Sequence, residues 1–199
     1  MTSMADQQAT RSPIAGLGVI VMAAGLGKRM KSNHVKVLHQ VAGKPMVQYA
    51  VDVALRVAGH RIAVVVGHQA EKVRHVIEAG ITGRPGAQGV CIVEQAQQLG
   101  TGHAVMQSRC VFSHDDEVCP AQYLILNGDT PLLKESTVRE LLTVHQQAGA
   151  TVTILTAILD DPSGYGRVIR RDVSHEGHAR SSSDVLKIVE DRDATSTER

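Results

Sequence analysis

The sequence has no tryptophan, one phenylalanine and three tyrosines, so aromatic side chains make up only 2% of it. Single-stranded nucleic acids and sugar rings stack on flat π surfaces, and this chain offers almost none. Nucleic acid is therefore not an expected partner, nor is a stacking lectin an expected class. An excess of one charge is also missing: 21 Lys and Arg stand against 20 Asp and Glu, a formal net charge of +1. No global field draws the protein to nucleic acid or to an anionic membrane, so ligands must be recognised by local sites. Cysteine is scarce. Cys91, Cys110 and Cys119 are odd in number and form no C-x-x-C, which argues against a disulfide framework and a structural zinc site and fits a cytoplasmic location. No apolar stretch reaches the ~18 residues of a membrane-spanning helix. The run over 14–27 imitates the core of a signal peptide, but four glycines interrupt it, Asp6 precedes it, and Lys28, Arg29 and Lys31 lie on its wrong side. No repeat of fixed period is visible.

What is present is a chain of 199 residues, 43% hydrophobic, enough for one domain and a small subdomain. Residues 1–16 read as a flexible leader, because the first dozen are polar and aperiodic. Beyond them, short β-branched runs at 19–21, 62–66, 90–93, 123–126 and 151–159 each predict a strand buried on both faces. Helical patterns lie between them. Pro45 opens the first, which runs along Met46, Tyr49, Ala50, Val53 and Val57 to Gly59. Val73, Val76 and Ile77 mark a second, stopped by Gly80; Thr101 is placed to cap a third, carrying Ala104 and Val105 and extending toward Val111; Val138, Leu141, Leu142 and His145 mark a fourth, stopped by Gly149. Strand and helix in alternation predict an α/β fold, a Rossmann-like, mostly parallel sheet with helices on both faces. The tail differs: strands at 167–170 and 185–189 flank a polar loop over 172–183 and predict an antiparallel hairpin near the C-terminus.

In an open parallel sheet, ligands bind beyond the carboxyl ends of the strands. The loop after the first strand, Ala23-Ala24-Gly25-Leu26-Gly27-Lys28-Arg29-Met30-Lys31, joins small residues that let backbone N–H groups approach an anion to three nearby cations, and phosphate is the natural guest. It is neither a dinucleotide fingerprint, which wants glycine at Met30, nor a P-loop, which wants glycine at Met22 and Ser or Thr at Arg29. Taken alone, the same loop is equally a glycine-rich turn with solvated cations. Lys36 follows among apolar residues in Val35-Lys36-Val37-Leu38, either exposed or with its stem packed and its ammonium in a cleft.

The loop followed by Lys36-Val37-Leu38 resembles the signature of sugar nucleotidyltransferases. Further segments narrow the resemblance: Gln95-Ala96-Gln97-Gln98-Leu99-Gly100-Thr101-Gly102-His103-Ala104, Asn127-Gly128-Asp129-Thr130-Pro131-Leu132, Asp161-Pro162-Ser163-Gly164-Tyr165-Gly166-Arg167 and Ile188-Val189-Glu190. In this order they are similar to the uridyltransferase half of the bacterial N-acetylglucosamine-1-phosphate uridyltransferases, bifunctional with a glucosamine-1-phosphate acetyltransferase half, over about residues 17–199. The resemblance implies a nucleotide-diphospho-sugar transferase fold over 17–199. It implies UTP and N-acetylglucosamine-1-phosphate as substrates, UDP-N-acetylglucosamine and pyrophosphate as products, and a place in cell-wall biogenesis.

By the same resemblance Arg29 and Lys36 are the catalytic cations, Arg29 on the leaving pyrophosphate and Lys36 on the α-phosphate. Met22, Ala23, Ala24 and Gly25 hold the uridine, Gln95, Gly100 and Thr101 read uracil, and Asn127, Gly128 and Asp129 complete the nucleotide site. A Gln amide offers both a donor and an acceptor to an imide edge. Asp129 is the implied Mg²⁺ ligand; without the motifs it reads as a turn residue before Pro131. Gly166 and Glu190 are implied contacts of the sugar.

The chain departs from the family at Lys28, usually Thr; at Val35, usually Pro; and at Asn127, often Tyr or Ser. An Asn that binds the sugar nucleotide and another that completes the metal site fall beyond Arg199, as does the β-helix acetyltransferase half. The domain therefore reads as C-terminally incomplete, with the exposed sheet edge this leaves in the tail compatible with a homo-oligomer. Two rivals follow: a nucleotidyltransferase with another nucleotide or acceptor, and a catalytically impaired nucleotide-binding fragment. His175 and His178, two histidines in a polar loop with no third ligand, read as solvated, and His103 as a hydrogen-bonded structural histidine.

Overall fold

A computed structural model describes residues 12–25, 27, 30, 32, 34–113, 119–171 and 185–198. The chain divides into two compact units, Met1–Arg139 and Glu140–Arg199. In order, the elements are β1 (Leu17–Ala23), β2 (Gln40–Val41), β3 (Lys44–Pro45), α1 (Met46–Ala58), β4 (Ile62–Val66), α2 (Ala70–Ile81), β5 (Val90–Glu94), α3 (Thr101–Gln107), α4 (Arg109–Phe112), β6 (Gln122–Asn127), α5 (Glu135–Gln147), β7 (Arg167–Arg170) and β8 (Val185–Val189).

The β-branched runs of β1 and β4 form the centre of a parallel four-stranded sheet ordered β5-β4-β1-β6. Val21 pairs with Val64 on one side and Leu126 on the other. Successive side chains of a strand point to opposite faces, and a run without polar residues needs cover on both. Ile20, Ala63 and Val65 cluster with Ala104 of α3 and Phe112 of α4, while α1 packs on β1 and β4 and α2 on β4. Val47, Val51, Val57, Val73 and Ile77 of those two helices are fully buried. Helices thus cover both faces of a parallel sheet, as the alternating pattern predicts.

Burial on both faces holds only for the two central strands. β5 exposes Cys91 and Glu94, and β6 buries Leu124 and Leu126 while leaving Tyr123 and Ile125 about half exposed. An edge strand has a neighbour on one side only, and its outer face is the first to lose cover. The run 151–159, expected as a fifth buried strand, forms no strand at all, and Val152 and Ile158 are 75% and 94% exposed. β-Branched composition favours an extended backbone, but a strand exists only where a neighbour takes up its hydrogen bonds. Thr101 does not cap α3: it is the first helical residue, Gly100 holds the cap position, and no side chain bonds the free N–H groups. Val111 belongs to α4, and α2 runs past Gly80 to Ile81.

One buried carboxylate ties the first unit together. Asp52 on α1 accepts hydrogen bonds from Lys44 of β3, from Arg84 at 2.5 Å and from Gln48 at 3.3 Å. Burial pushes its carboxyl upward, but the bonds from Lys44 and Arg84 outweigh that and hold it below the usual aspartate value.

In the second unit β7 and β8 pair antiparallel, Arg167 opposite Val189, as the tail pattern predicts. Asp191 holds the approach to this hairpin, accepting from the Gly164 N–H at 3.0 Å and from Arg167 at 2.9 Å. The expected loop over 172–183, with His175 and His178, lies outside the described residues, as do residues 1–11 of the expected leader. Among the described residues no helix is long and apolar enough to cross a membrane.

Candidate functional site

From β1 the chain moves outward to β4 and β5, then returns to place β6 on the other side of β1. That reversal opens a crevice beyond the carboxyl ends of β1 and β6, where open α/β sheets take their ligands. A cavity of about 340 Å³ lies there. β1 and its loop contribute Met22, Ala24 and Gly25; the end of β6 contributes Asn127 and Asp129; the segment after β5 contributes Gln95 and Gln98; α3 and its cap contribute Gly100, Thr101 and Ala104.

Lys36 and Val37 complete the wall from a single 3₁₀ turn, Lys36–Leu38. Val37 is buried and anchors the turn, so the preceding side chain is left at the cavity. Its Nζ donates to Asp129 Oδ2 at 2.5 Å, with both side chains about one-third exposed. A lysine whose stem is packed and whose ammonium meets a carboxylate across a crevice is placed to take up a second anion.

Two glycines permit this approach. Gly27 has φ +60°, and a Cβ there would lie 2.6 Å from Lys36 Cβ. Gly128 donates its N–H to the Met22 carbonyl at 2.9 Å, and a Cβ on it would lie 2.9 Å from that same oxygen. The turn carrying Asp129 can therefore lie against β1 only with hydrogen at position 128.

The expected nucleotide residues Met22, Ala24, Gly25, Lys36, Gln95, Gly100, Thr101, Asn127 and Asp129 meet at this cavity. Ala23 and Gly128 are buried behind it and shape the backbone rather than line the space. Arg29 and Lys28 lie outside the described residues. Gly166 and Glu190 belong to the second unit, side by side at one end of the hairpin: a Cβ on Gly166 would lie 3.5 Å from the Val189 carbonyl oxygen. The sequence did not single out Gln98, Val37 or Ala104 as cavity walls. Gln98 follows Gln95 in a loop beyond a strand's carboxyl end, which was the available signal; Val37 and Ala104 read only as core.

Gln95 is 3% exposed. Its amide nitrogen lies 3.0 Å from the Gly100 carbonyl oxygen and 3.0 Å from His103 Nδ1, so both of its N–H donors are engaged within the protein. His103 is a hydrogen-bonded structural residue, as expected.

Asp129 is the one carboxylate on the cavity, and no cluster of three or more His, Cys, Asp or Glu forms a metal cage among the described residues. Mg²⁺ binds through one or two carboxylates together with substrate phosphates and keeps several waters. The donor set therefore fits a Mg²⁺ held jointly by Asp129 and a polyphosphate, and does not fit a metal held by the protein alone.

Residues 19–188 match the family of the MobA-like NTP transferase domain. Similar curated proteins include the bifunctional protein GlmU of Thermoanaerobacter pseudethanolicus, 44% identical over 184 residues that cover 92% of this chain and 35% of that protein. GlmU of Bacillus licheniformis is 42% identical over 180 residues, covering 90% and 35%. The chain thus spans about a third of the length of these relatives. Among solved structures, UDP-glucose pyrophosphorylase complexed with UDP-glucose superposes with a TM-score of 0.60 at 18% identity, covering 87% of this chain and 68% of that one. The UTP-bound UGPase from Acinetobacter baumannii gives 0.59 at 22% identity, covering 87% and 67%. At these identities the structures establish a shared fold.

Proposed function

We propose, because the chain belongs to the MobA-like NTP transferase family, that its cavity binds UTP and transfers the uridylyl group to N-acetylglucosamine-1-phosphate. UDP-N-acetylglucosamine and pyrophosphate are then the products, and the cytoplasm is the proposed location. The observation that carries this reading is the Lys36–Asp129 pair, which places a cation and a carboxylate together at the mouth of a crevice at the sheet's switch point. The GlmU relatives support the choice of substrates.

The reaction joins two anions. A phosphate oxygen of the sugar phosphate bonds to the α-phosphorus of UTP, and the bond from that phosphorus to the pyrophosphate oxygen breaks. The protein's main work is positioning and charge neutralisation. Lys36 faces the α-phosphate and stabilises charge gathering there; Arg29 is assigned the leaving pyrophosphate. Met22, Ala24 and Gly25 hold the nucleoside, and Gln95, Gly100 and Thr101 hold the base. Mg²⁺, when bound by Asp129 and the triphosphate, supplies further neutralisation of phosphate charge. Gly166 and Glu190 are assigned the N-acetylglucosamine moiety.

The test titrates each of the four nucleoside triphosphates, with Mg²⁺, into the 199-residue chain by calorimetry, and follows pyrophosphate release on addition of N-acetylglucosamine-1-phosphate. Preferred binding of UTP and a product with the mass of UDP-N-acetylglucosamine are expected. Preference for another nucleotide, or none, overturns the assignment.

A further inference from the structure

The hydrogen bonds around Gln95 decide which end of its amide a ligand meets. Its amide nitrogen lies 3.0 Å from both the Gly100 carbonyl oxygen and His103 Nδ1. A carbonyl oxygen can only accept, so one N–H points to Gly100 and the other to His103. Nδ1 must then be bare, and the proton of the neutral ring sits on Nε2. On that side the Gln107 amide nitrogen lies 3.1 Å from His103 Nε2 and 3.3 Å from the His103 carbonyl oxygen. A neutral imidazole has one acceptor nitrogen, so both amides cannot donate to it, and one must present its oxygen instead. Turning Gln95 would set its Oε1 against the Gly100 oxygen at a buried position, where an unmet polar atom is costly. Turning Gln107, which is half-buried, gives up its 3.3 Å bond to the His103 carbonyl and sets oxygen against oxygen there, but at a longer distance and a less buried position than at Gln95. In return it gains a bond from Nε2–H. Gln107 is therefore the amide that turns.

We propose that His103 is a positioning residue for base selection: its bare Nδ1, together with the Gly100 carbonyl, holds the Gln95 amide so that Oε1 is the group left for a base in the cavity. This rests on the uridyltransferase reading above and adds a determinant to it. Uracil carries an N–H donor at ring position 3, which a fixed acceptor oxygen complements. Cytosine carries a lone pair there, which the same oxygen opposes. An amide free to turn through 180° serves both bases, so discrimination depends on the two acceptors that oppose the turn, the Gly100 carbonyl and His103 Nδ1. Gln95 touches the base; His103 acts through it.

The experiment measures dissociation constants of UTP and CTP, with Mg²⁺, for the full 199-residue chain and two variants. His103→Leu removes one of the two acceptors and leaves the Gly100 carbonyl, and the UTP-over-CTP preference should fall by about tenfold, the equivalent of one lost hydrogen-bond preference. His103→Asn can set its Oδ1 where Nδ1 was, and should retain the preference. A His103→Leu protein with the unchanged ratio overturns the role of His103 and leaves the uridyl reading standing. Equal loss of affinity for both nucleotides in both variants also overturns it, because a purely structural residue would behave so. A wild-type chain that binds UTP and CTP equally overturns the uridyl reading and this proposal with it.

Discussion

Lys36 Nζ and Asp129 Oδ2 meet at 2.5 Å although 93 residues separate them in the sequence. The contact joins the segment after β1 to the turn after β6. In the proposed function, a bound triphosphate would give Lys36 a second anionic partner and leave the Asp129 carboxylate to Mg²⁺. Lys36→Ala should lower kcat/KM for UTP by ~100-fold, since it removes charge stabilisation from the transition state. Asp129→Asn should remove the Mg²⁺ dependence of UTP binding, read by calorimetry with and without the metal. Unchanged rates for the first, or unchanged metal dependence for the second, would return that residue to a plain surface ion pair.

Gly27→Ala tests the path of the loop without touching a charge. Its Cβ would lie 2.6 Å from that of Lys36, and the positive φ adds strain of roughly 1 kcal/mol. We expect UTP affinity to drop by about tenfold while the thermal transition moves only slightly. Wild-type affinity would show that the Lys36 backbone position does not matter for binding.

Asp52 carries the pH prediction. Its carboxyl lies lower in the folded protein than in the unfolded chain because Lys44 and Arg84 bond it. The stability it contributes is therefore present above the ordinary aspartate value of about 3.9 and is lost as pH falls through that value toward the folded one. Asp52→Asn should cost about 2 kcal/mol at pH 7, by leaving two cations without a counter-charge, and much less at pH 3. Urea unfolding at both pH values measures this, and an equal loss at each would remove the ion cluster from the account.

Asp191→Asn should act on the sugar alone. Asp191 holds Gly164 and Arg167 beside Gly166, so loosening it should raise KM for the sugar phosphate by ~10-fold with UTP binding unchanged. A change confined to UTP affinity would contradict the assignment of the sugar to this hairpin.

The sequence made the parallel sheet and the tail hairpin legible because their signals are local: valine and isoleucine runs, glycine stops and a polar connecting loop. The resemblance likewise gathered residues that the fold brings to one cavity, from Met22 to Asp129, because its motifs sit beyond strand ends. What escaped depends on tertiary partners. The 151–159 run has strand composition without a ladder, which composition cannot reveal. Gln95 was expected to offer a base both donor and acceptor, but its donors go to Gly100 and His103. Gly27 stood in the motif as a small residue that lets backbone N–H groups approach an anion, whereas its closest constraint is the Cβ of Lys36, nine positions on.

The central claim is that UTP binds at the crevice between β1 and β6. Amide chemical-shift mapping of the ¹⁵N-labelled 199-residue chain during a UTP titration with Mg²⁺ tests it most directly. The account predicts saturable shifts at Met22, Ala24, Gly25, Lys36, Gln95, Gly100, Thr101, Asn127 and Asp129. Shifts that saturate elsewhere in the chain and leave these amides unmoved would contradict it.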